Sequence, residues 1–319
     1  MNNTTQTKPR VMFMGTPDFA VPALEALHNS IGVDAVVTLP DAATGRGLKL
    51  HPTAVKSAAE RLGIGTLLQP ASLKSDEFTD AVRGLAPDIL CVIAFRILPH
   101  AVYSLARLGA FNVHASLLPK YRGAAPINHA IINGERESGV TSFLLNDVVD
   151  TGNLLMQKHI PVPDGATAGD LYALLMPLAA ACAVETCHGL IAGTLLPMQQ
   201  NDTLATPAPK VWREKAGVDW RESATTVRNF IHGMSPAPCA WTEFMEGKLK
   251  IHRAAYHNGA SLALGEWQMT DIEWLAGTGD GTLSLTQVQL PGKPVMNTPD
   301  LLRGWRGMRS GVFPHHANM

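Results

Sequence analysis

The feature that most restricts this chain is a repeat of short, wholly apolar runs separated by amphipathic stretches. From Val11 it reads VMFMG, PDFAVPALEALHNS, GVDAVVTL, VKSAAERLGI and APDILCVIAF, and a further apolar run follows in GAFNVHAS. Strands that are apolar on both sides belong to a parallel sheet covered by helices on both faces, with ligands held beyond the C-terminal ends of the strands. The order strand, helix, strand, helix, strand therefore predicts an α/β domain with a mostly parallel sheet.

The later sequence changes character. ATAGDLYALLMPLAAACAVETCHGLIAG has helical spacing and good helix formers, and is expected as a long helix closing the first domain. Past Gly193, the stretch TLLPMQQNDTLATPAPKVW is polar, bears prolines and has no clear period, so it is read as a linker. Beyond it lie one helical stretch, ESATTVRNFIHGM, and short strand-like runs separated by glycine turns, the pattern of a small β-barrel or open sheet. The expected organisation is a disordered tail over residues 1–9, a first domain over 10–193, a linker over 194–213 and a second domain over 214–319. A chain of 319 residues can bury two cores of this size.

Composition narrows the function. Apolar residues make up 46% and charged residues 17%, the balance of a folded chain. The opening MNNTTQTKPR has no apolar core, so neither a signal peptide nor a membrane anchor is expected, and the cytoplasm is the expected compartment. Cys91, Cys182, Cys187 and Cys239 have neither Cys-x-x-Cys spacing nor a partnering His, which predicts reduced, buried thiols and no metal. A net charge of −1 gives no overall attraction for a polyanion, so contact with nucleic acid would have to be local. The first strand ends in GTPDFA, which lacks the glycines of a dinucleotide fingerprint and argues against a nicotinamide cofactor. Asp18 in that stretch reads as helix-start chemistry.

The chemistry concentrates in FNVHASLLPKYRGAAP. Asn112 and His114 lie two apart, so on a strand their side chains share a face and can converge on one ligand. A lone strand histidine is as readily structural as catalytic. Asp150, in VVDTG, adds a carboxylate, and an amide, an imidazole and a carboxylate together suit acyl transfer: a donor for the oxyanion, a proton carrier and a group that fixes its state. No nucleophilic Ser or Cys is needed if the incoming amine attacks directly.

The run HASLLPKYRGAAP, preceded by FNV and followed by DTG, resembles the N10-formyltetrahydrofolate-dependent formyltransferases, over nearly the whole chain. The resemblance implies a Rossmann-like first domain and an oligonucleotide-binding (OB-like) barrel as the second. It implies catalytic roles for Asn112, His114 and Asp150, and a folate-binding loop at Ser116, Leu117, Leu118 and Pro119. The implied formyl donor is 10-formyltetrahydrofolate.

Flanking segments bear on the acceptor. PDAATGRGLKLHP is similar to the loop that members acting on methionyl initiator tRNA insert into the acceptor stem, which implies tRNA contacts for Arg46 and Lys49; composition alone fits a solvated loop equally well. Lys120 and Arg122 are candidates for acceptor-end phosphates, or for surface ion pairs. VDWRESATTVRNFIHGMSPAPCAWTEF resembles the start of those members' second domain, with Trp220, Pro236, Pro238 and Trp241 expected to pack, and Lys210, Lys248, Lys250 and Arg253 as candidate phosphate contacts. Where many relatives have Tyr-Gly, this chain reads AFRIL, putting Arg96 near the expected folate pocket. The implied activity is formyl transfer to the α-amine of methionine on initiator tRNA, with no obligate protein partner and no membrane. Two alternatives stay open: transfer to an amino sugar nucleotide or other small amine, and a catalytically silent tRNA- or folate-binding protein.

Overall fold

The computed structural model describes residues 8–44, 49–259 and 261–314. The chain forms two compact units, neither of them one continuous stretch. The first comprises Met1–Gly123, Gly139–Ile160 and Ala173–Pro207, and the second Ala124–Ser138, Pro161–Tyr172 and Ala208–Met319.

In chain order come β1 (Val11–Gly15), α1 (Val21–Ser30), β2 (Ala35–Val37), the paired short strands β3 (Ala42–Thr44) and β4 (Lys49–His51), α2 (Ala54–Arg61) and β5 (Thr66–Leu68). They are followed by α3 (Asp76–Leu85), β6 (Ile89–Ile93), α4 (His100–Tyr103) and β7 (Gly109–His114). After α5 (Pro126–Ile132), which belongs to the second unit, come β8 (Glu137–Leu144), β9 (Leu154–Pro161) and α6 (Ala168–Ala192). Their sheet runs β5-β2-β1-β6-β7-β8-β9. The pairs from β5 through β7 are parallel, and β8 runs antiparallel to β7.

Every residue of β1 and β6 is buried, as their unbroken apolar runs require in a sheet covered on both faces. The starts of α2 and α3 are capped by side chains: at α2 Thr53 Oγ1 accepts the Lys56 N–H at 3.0 Å, and at α3 Ser75 Oγ accepts that of Phe78 at 3.3 Å. The long helix α6 is apolar enough to span a membrane by length and composition. On it Leu175, Ala179, Cys182, Ala183, Thr186 and Cys187 are buried, at the spacing of a helix packed along one side. All four cysteines are free and buried. Burial pushes the Cys187 thiol up to about 12, which makes it a poor nucleophile.

The second unit continues with α7 (Ala224–Met234), β10 (Ala240–Phe244), β11 (Gly247–Tyr256), β12 (Glu266–Met269), β13 (Trp274–Gly277) and β14 (Thr282–Gln289). The last elements are β15 (Met296–Asn297), α8 (Thr298–Leu302) and β16 (Ser310–Val312). Its sheet, ordered β10-β11-β14-β13-β12-β16 with β15 on β14, is antiparallel and forms a half-barrel. Aromatic packing fills it: Trp220 stacks on Phe313 with centroids 5.1 Å apart, and Phe244 lies 4.9 Å from Trp274. Trp220 and Trp241 are therefore packing residues, both buried. Helices α5 and α7 pack so closely that a Cβ on Gly233 would lie 2.9 Å from the Asn128 carbonyl oxygen, which explains a glycine there.

Buried in the same unit, His232 accepts the Ala254 N–H at Nε2 (3.1 Å), so it must be neutral there. Burial, with Arg228 nearby, lowers its pKa to about 4. An unfolded histidine titrates near 6.5, so the stability that neutral His232 contributes is fully present above that pH and is lost as pH falls towards 4. The loss amounts to about 3 kcal/mol. Thermal unfolding of the chain and of His232→Gln between pH 7.5 and 4.5 checks this: the wild-type slope with pH is expected to be the steeper, and equal slopes would contradict it.

Candidate active site

Strand β7 delivers the two expected polar side chains together. Asn112 is half-buried and His114 buried, on the same face by strand alternation, with His114 the last residue of the strand. The Nε2 of His114 lies 2.8 Å from the Tyr121 carbonyl oxygen. A carbonyl only accepts, so Nε2 carries a proton and Nδ1 is the nitrogen left for chemistry. Nδ1 stands 3.8 Å from Asp150 Oδ2, too far for a hydrogen bond but near enough to stabilise a positive ring.

Asp150 comes from a loop that doubles back. The Leu144 N–H, at the end of β8, donates to the Asn153 carbonyl at 2.9 Å, which closes residues 145–152 into a loop. Within it, Asn146 bonds Thr151 (2.9 Å), and Tyr103 donates its hydroxyl to Asp147 at 2.6 Å. Burial and that carboxylate push the Tyr103 phenol up to about 12. A Cβ on Gly152 would fall 1.6 Å from the Leu144 carbonyl oxygen, so only glycine fits. Asp150 itself sits in the left-handed region, φ 58°, a conformation that aspartate tolerates better than most residues. Its Oδ2 accepts the Gly123 N–H at 2.8 Å.

The turn from Ser116 to Gly123 thus touches both groups, and it is tied down along its length. Ser116 donates its hydroxyl to the Lys120 carbonyl at 2.7 Å, so it is no activated nucleophile. Thr141 donates to the Ser116 carbonyl (2.7 Å) and accepts the Leu118 N–H (3.0 Å), while Gln157 donates to the Leu118 carbonyl (2.8 Å). Leu118 is buried, Leu117 and Pro119 are half-buried, and the Leu118–Pro119 bond is cis. Residues from the expected linker join in: the Tyr121 and Arg122 N–H groups donate to Thr206 Oγ1 and to the Thr206 carbonyl, both at 2.9 Å.

The expected cations divide. The Arg122 guanidinium is bonded to Gln200 and Asp202, both at 2.7 Å. Lys120 and Arg96 are exposed, Lys49 opens β4, and Arg46 lies outside the described residues. In the second unit, Arg253 pairs with Asp170 at 2.6 Å, and the ammonium groups of Lys210 and Lys248 lie over Trp212 and Trp241 at 4.1 and 3.1 Å from the ring centroids. Lys248, Lys250 and Arg213 line one recess of about 380 Å³. Among the described residues, no group of three or more His, Cys, Asp or Glu side chains could hold a metal ion. Thr141, Gln157, Gln200 and Thr206 support the site without any sequence motif to mark them; only their polarity amid apolar or irregular stretches sets them apart.

An amide donor, an imidazole with one available nitrogen and a carboxylate beside it can carry an acyl group from one bound substrate to an attacking amine on another, without a nucleophilic hydroxyl or thiol of the protein. Residues 9–186 match the family described as "Formyl transferase", and residues 210–306 match "Formyl transferase, C-terminal domain". A methionyl-tRNA formyltransferase from Chlorobium phaeovibrioides is 44% identical over 96% of this chain and 98% of its own. One from Parabacteroides distasonis is 40% identical over 93% and 96%. Among solved structures, a sugar 3N-formyl transferase, WlaRD, crystallised with dTDP and 5-N-formyl-THF, superposes with a TM-score of 0.66 over 90% of this chain and 99% of its own, at 17% identity. HypX from Aquifex aeolicus in complex with tetrahydrofolic acid gives 0.63 at 17% identity, over 97% of this chain and 51% of its own. By these matches along both units, the chain belongs to the formyl transferase family.

Proposed function

We propose that this chain transfers the formyl group of 10-formyltetrahydrofolate to the α-amine of methionine carried by initiator tRNA, in the cytoplasm, for translation initiation. The observation that carries this reading is similarity at about 40% identity through both units to relatives named for that activity, where the sugar-modifying neighbours share the fold at 17%. In this reading residues 10–193 carry the chemistry, 194–213 connect, and 214–319 hold tRNA. The SLLP loop, Ser116 to Pro119, receives the folate; its rigid anchoring to Thr141 and Gln157 suits a binding wall.

The side chains then have distinct tasks. The amine nitrogen attacks the formyl carbon, and the Asn112 amide donates to the oxygen that becomes negative. With Nε2 committed to Tyr121, His114 takes the amine proton at Nδ1, and Asp150 at 3.8 Å stabilises the imidazolium. As the bond from carbon to the folate N10 breaks, that proton passes to N10, so the carrier ends as tetrahydrofolate and His114 is neutral again. Arg46, Lys49 and Lys120 supply cations for the tRNA; Arg122 serves there only if tRNA draws it from Gln200 and Asp202.

His114→Ala and Asp150→Asn are each expected to lower turnover by about 100-fold or more while leaving folate affinity, read by calorimetry, within about threefold. Arg46→Ala is expected to raise KM for charged tRNA about tenfold with kcat retained. The reverse division of effects would overturn these roles. Formyl transfer to charged initiator tRNA, run beside free methionine and an amino sugar nucleotide, tests the acceptor: transfer to the tRNA alone is expected, and preference for the sugar would replace this reading with small-amine formylation.

A further inference from the structure

Gln200 is a buried amide in a stretch with no regular structure, and both ends of its side chain are in use. Its Nε2 donates to the carbonyl oxygens of Asp150 (2.9 Å) and Gly152 (2.8 Å). Its Oε1 accepts from Arg122 Nε (3.2 Å) and Nη2 (2.7 Å), and Arg122 Nη2 also reaches Asp202 at 2.7 Å. One side chain therefore spans the two segments that must meet at the site. On one side is the loop that holds Asp150 at positive φ; on the other is the turn whose Tyr121 carbonyl fixes His114 and whose Gly123 N–H fixes the Asp150 carboxylate.

The surrounding strap is itself anchored. Met198 exchanges backbone hydrogen bonds with Leu154 at 2.7 and 2.9 Å, and Thr206 holds the backbone N–H groups of Tyr121 and Arg122. A fully bonded buried amide tolerates little movement, because any displacement leaves polar atoms unpaired. Gln200 touches neither the His114 ring nor the Asp150 carboxylate: it reaches them through the Asp150 and Gly152 carbonyls on one side and the Arg122 guanidinium on the other, so its influence is on their geometry.

We infer that Gln200 is a positioning residue for formyl transfer, one that sets the separation of His114 and Asp150 by bridging the Asp150 loop to the Arg122 turn. This rests on the reading above that Asn112, His114 and Asp150 carry the reaction. It gives the irregular segment after α6 a part in catalysis as well as in connecting the units.

Gln200→Glu tests it with least disturbance, since the substitution keeps the size and the acceptor for Arg122 but replaces both donated hydrogen bonds with an oxygen facing two carbonyls. The expected result is a fall in kcat of about 10- to 100-fold, with KM for the folate and for charged tRNA within about threefold. In 15N-histidine NMR, with His114 assigned through His114→Gln, the Nε2-protonated ring is expected to give way to a mixture of tautomers. Gln200→Ala is expected to show the same split more strongly, and Gln199→Ala, at an exposed neighbour, is expected to match the wild type in every readout. Unchanged kcat and spectrum in Gln200→Glu would overturn the inference, as would a loss of activity that tracks lowered thermal stability while the His114 spectrum stays unchanged. The spectrum needs no acceptor, so a wild type that fails to formylate methionyl-tRNA would sink the functional reading while a tautomer shift in Gln200→Glu still upheld the bridge.

Discussion

The site depends on one short turn being held still. The Tyr121 carbonyl accepts a hydrogen bond from His114 Nε2–H and the Gly123 N–H donates one to the Asp150 carboxylate, so two backbone groups of adjoining peptides decide which histidine nitrogen is available and where the carboxylate stands. Tyr121 is itself at positive φ, 62°, a conformation that costs free energy in a bulky residue and persists only where the surroundings enforce it. Thr206 does so from one side, and the hydrogen bonds of Ser116, Thr141 and Gln157 brace the preceding residues.

The parallel half of the sheet was legible because burial on both faces leaves the same unbroken apolar run in each strand, and β1 and β6 are buried throughout. The shared face of Asn112 and His114 was legible for a similar reason, since strand alternation alone requires it. Resemblance, not spacing, linked Asp150 to them. Physically it arrives because β8 reverses direction beside β7 and the loop after it closes on itself, with Gly152 allowing the close approach to Leu144. Gln200 and Thr206 left no trace in the pattern, because a side chain chosen to bond a distant backbone has no periodicity. The half-barrel strands β12, β13 and β16 were hard to see for another reason: at three or four residues each, they are too short to show alternation.

Cation placement separates structural from available charge. Arg122 and Arg253 are both absorbed by carboxylates, at Asp202 and Asp170, and Lys210 and Lys248 lie against indole rings, which favour a cation without neutralising it. Lys248 and Lys250 with Arg213 around one recess leave the half-barrel a local concentration of positive charge in a chain whose net charge is −1. A placed cluster attracts anions locally even where the net charge does not, and that attraction falls as salt rises.

The most direct measurement is a crystal structure with 5-formyltetrahydrofolate, whose formyl group is not transferred. The pterin end is expected to lie against Ser116–Pro119, with the folate N10 and the one-carbon group within about 4 Å of Asn112 and His114 Nδ1 and the Nε2 bond to Tyr121 intact. A folate seated elsewhere, or a His114 ring flipped to present Nε2 to the ligand, would contradict it.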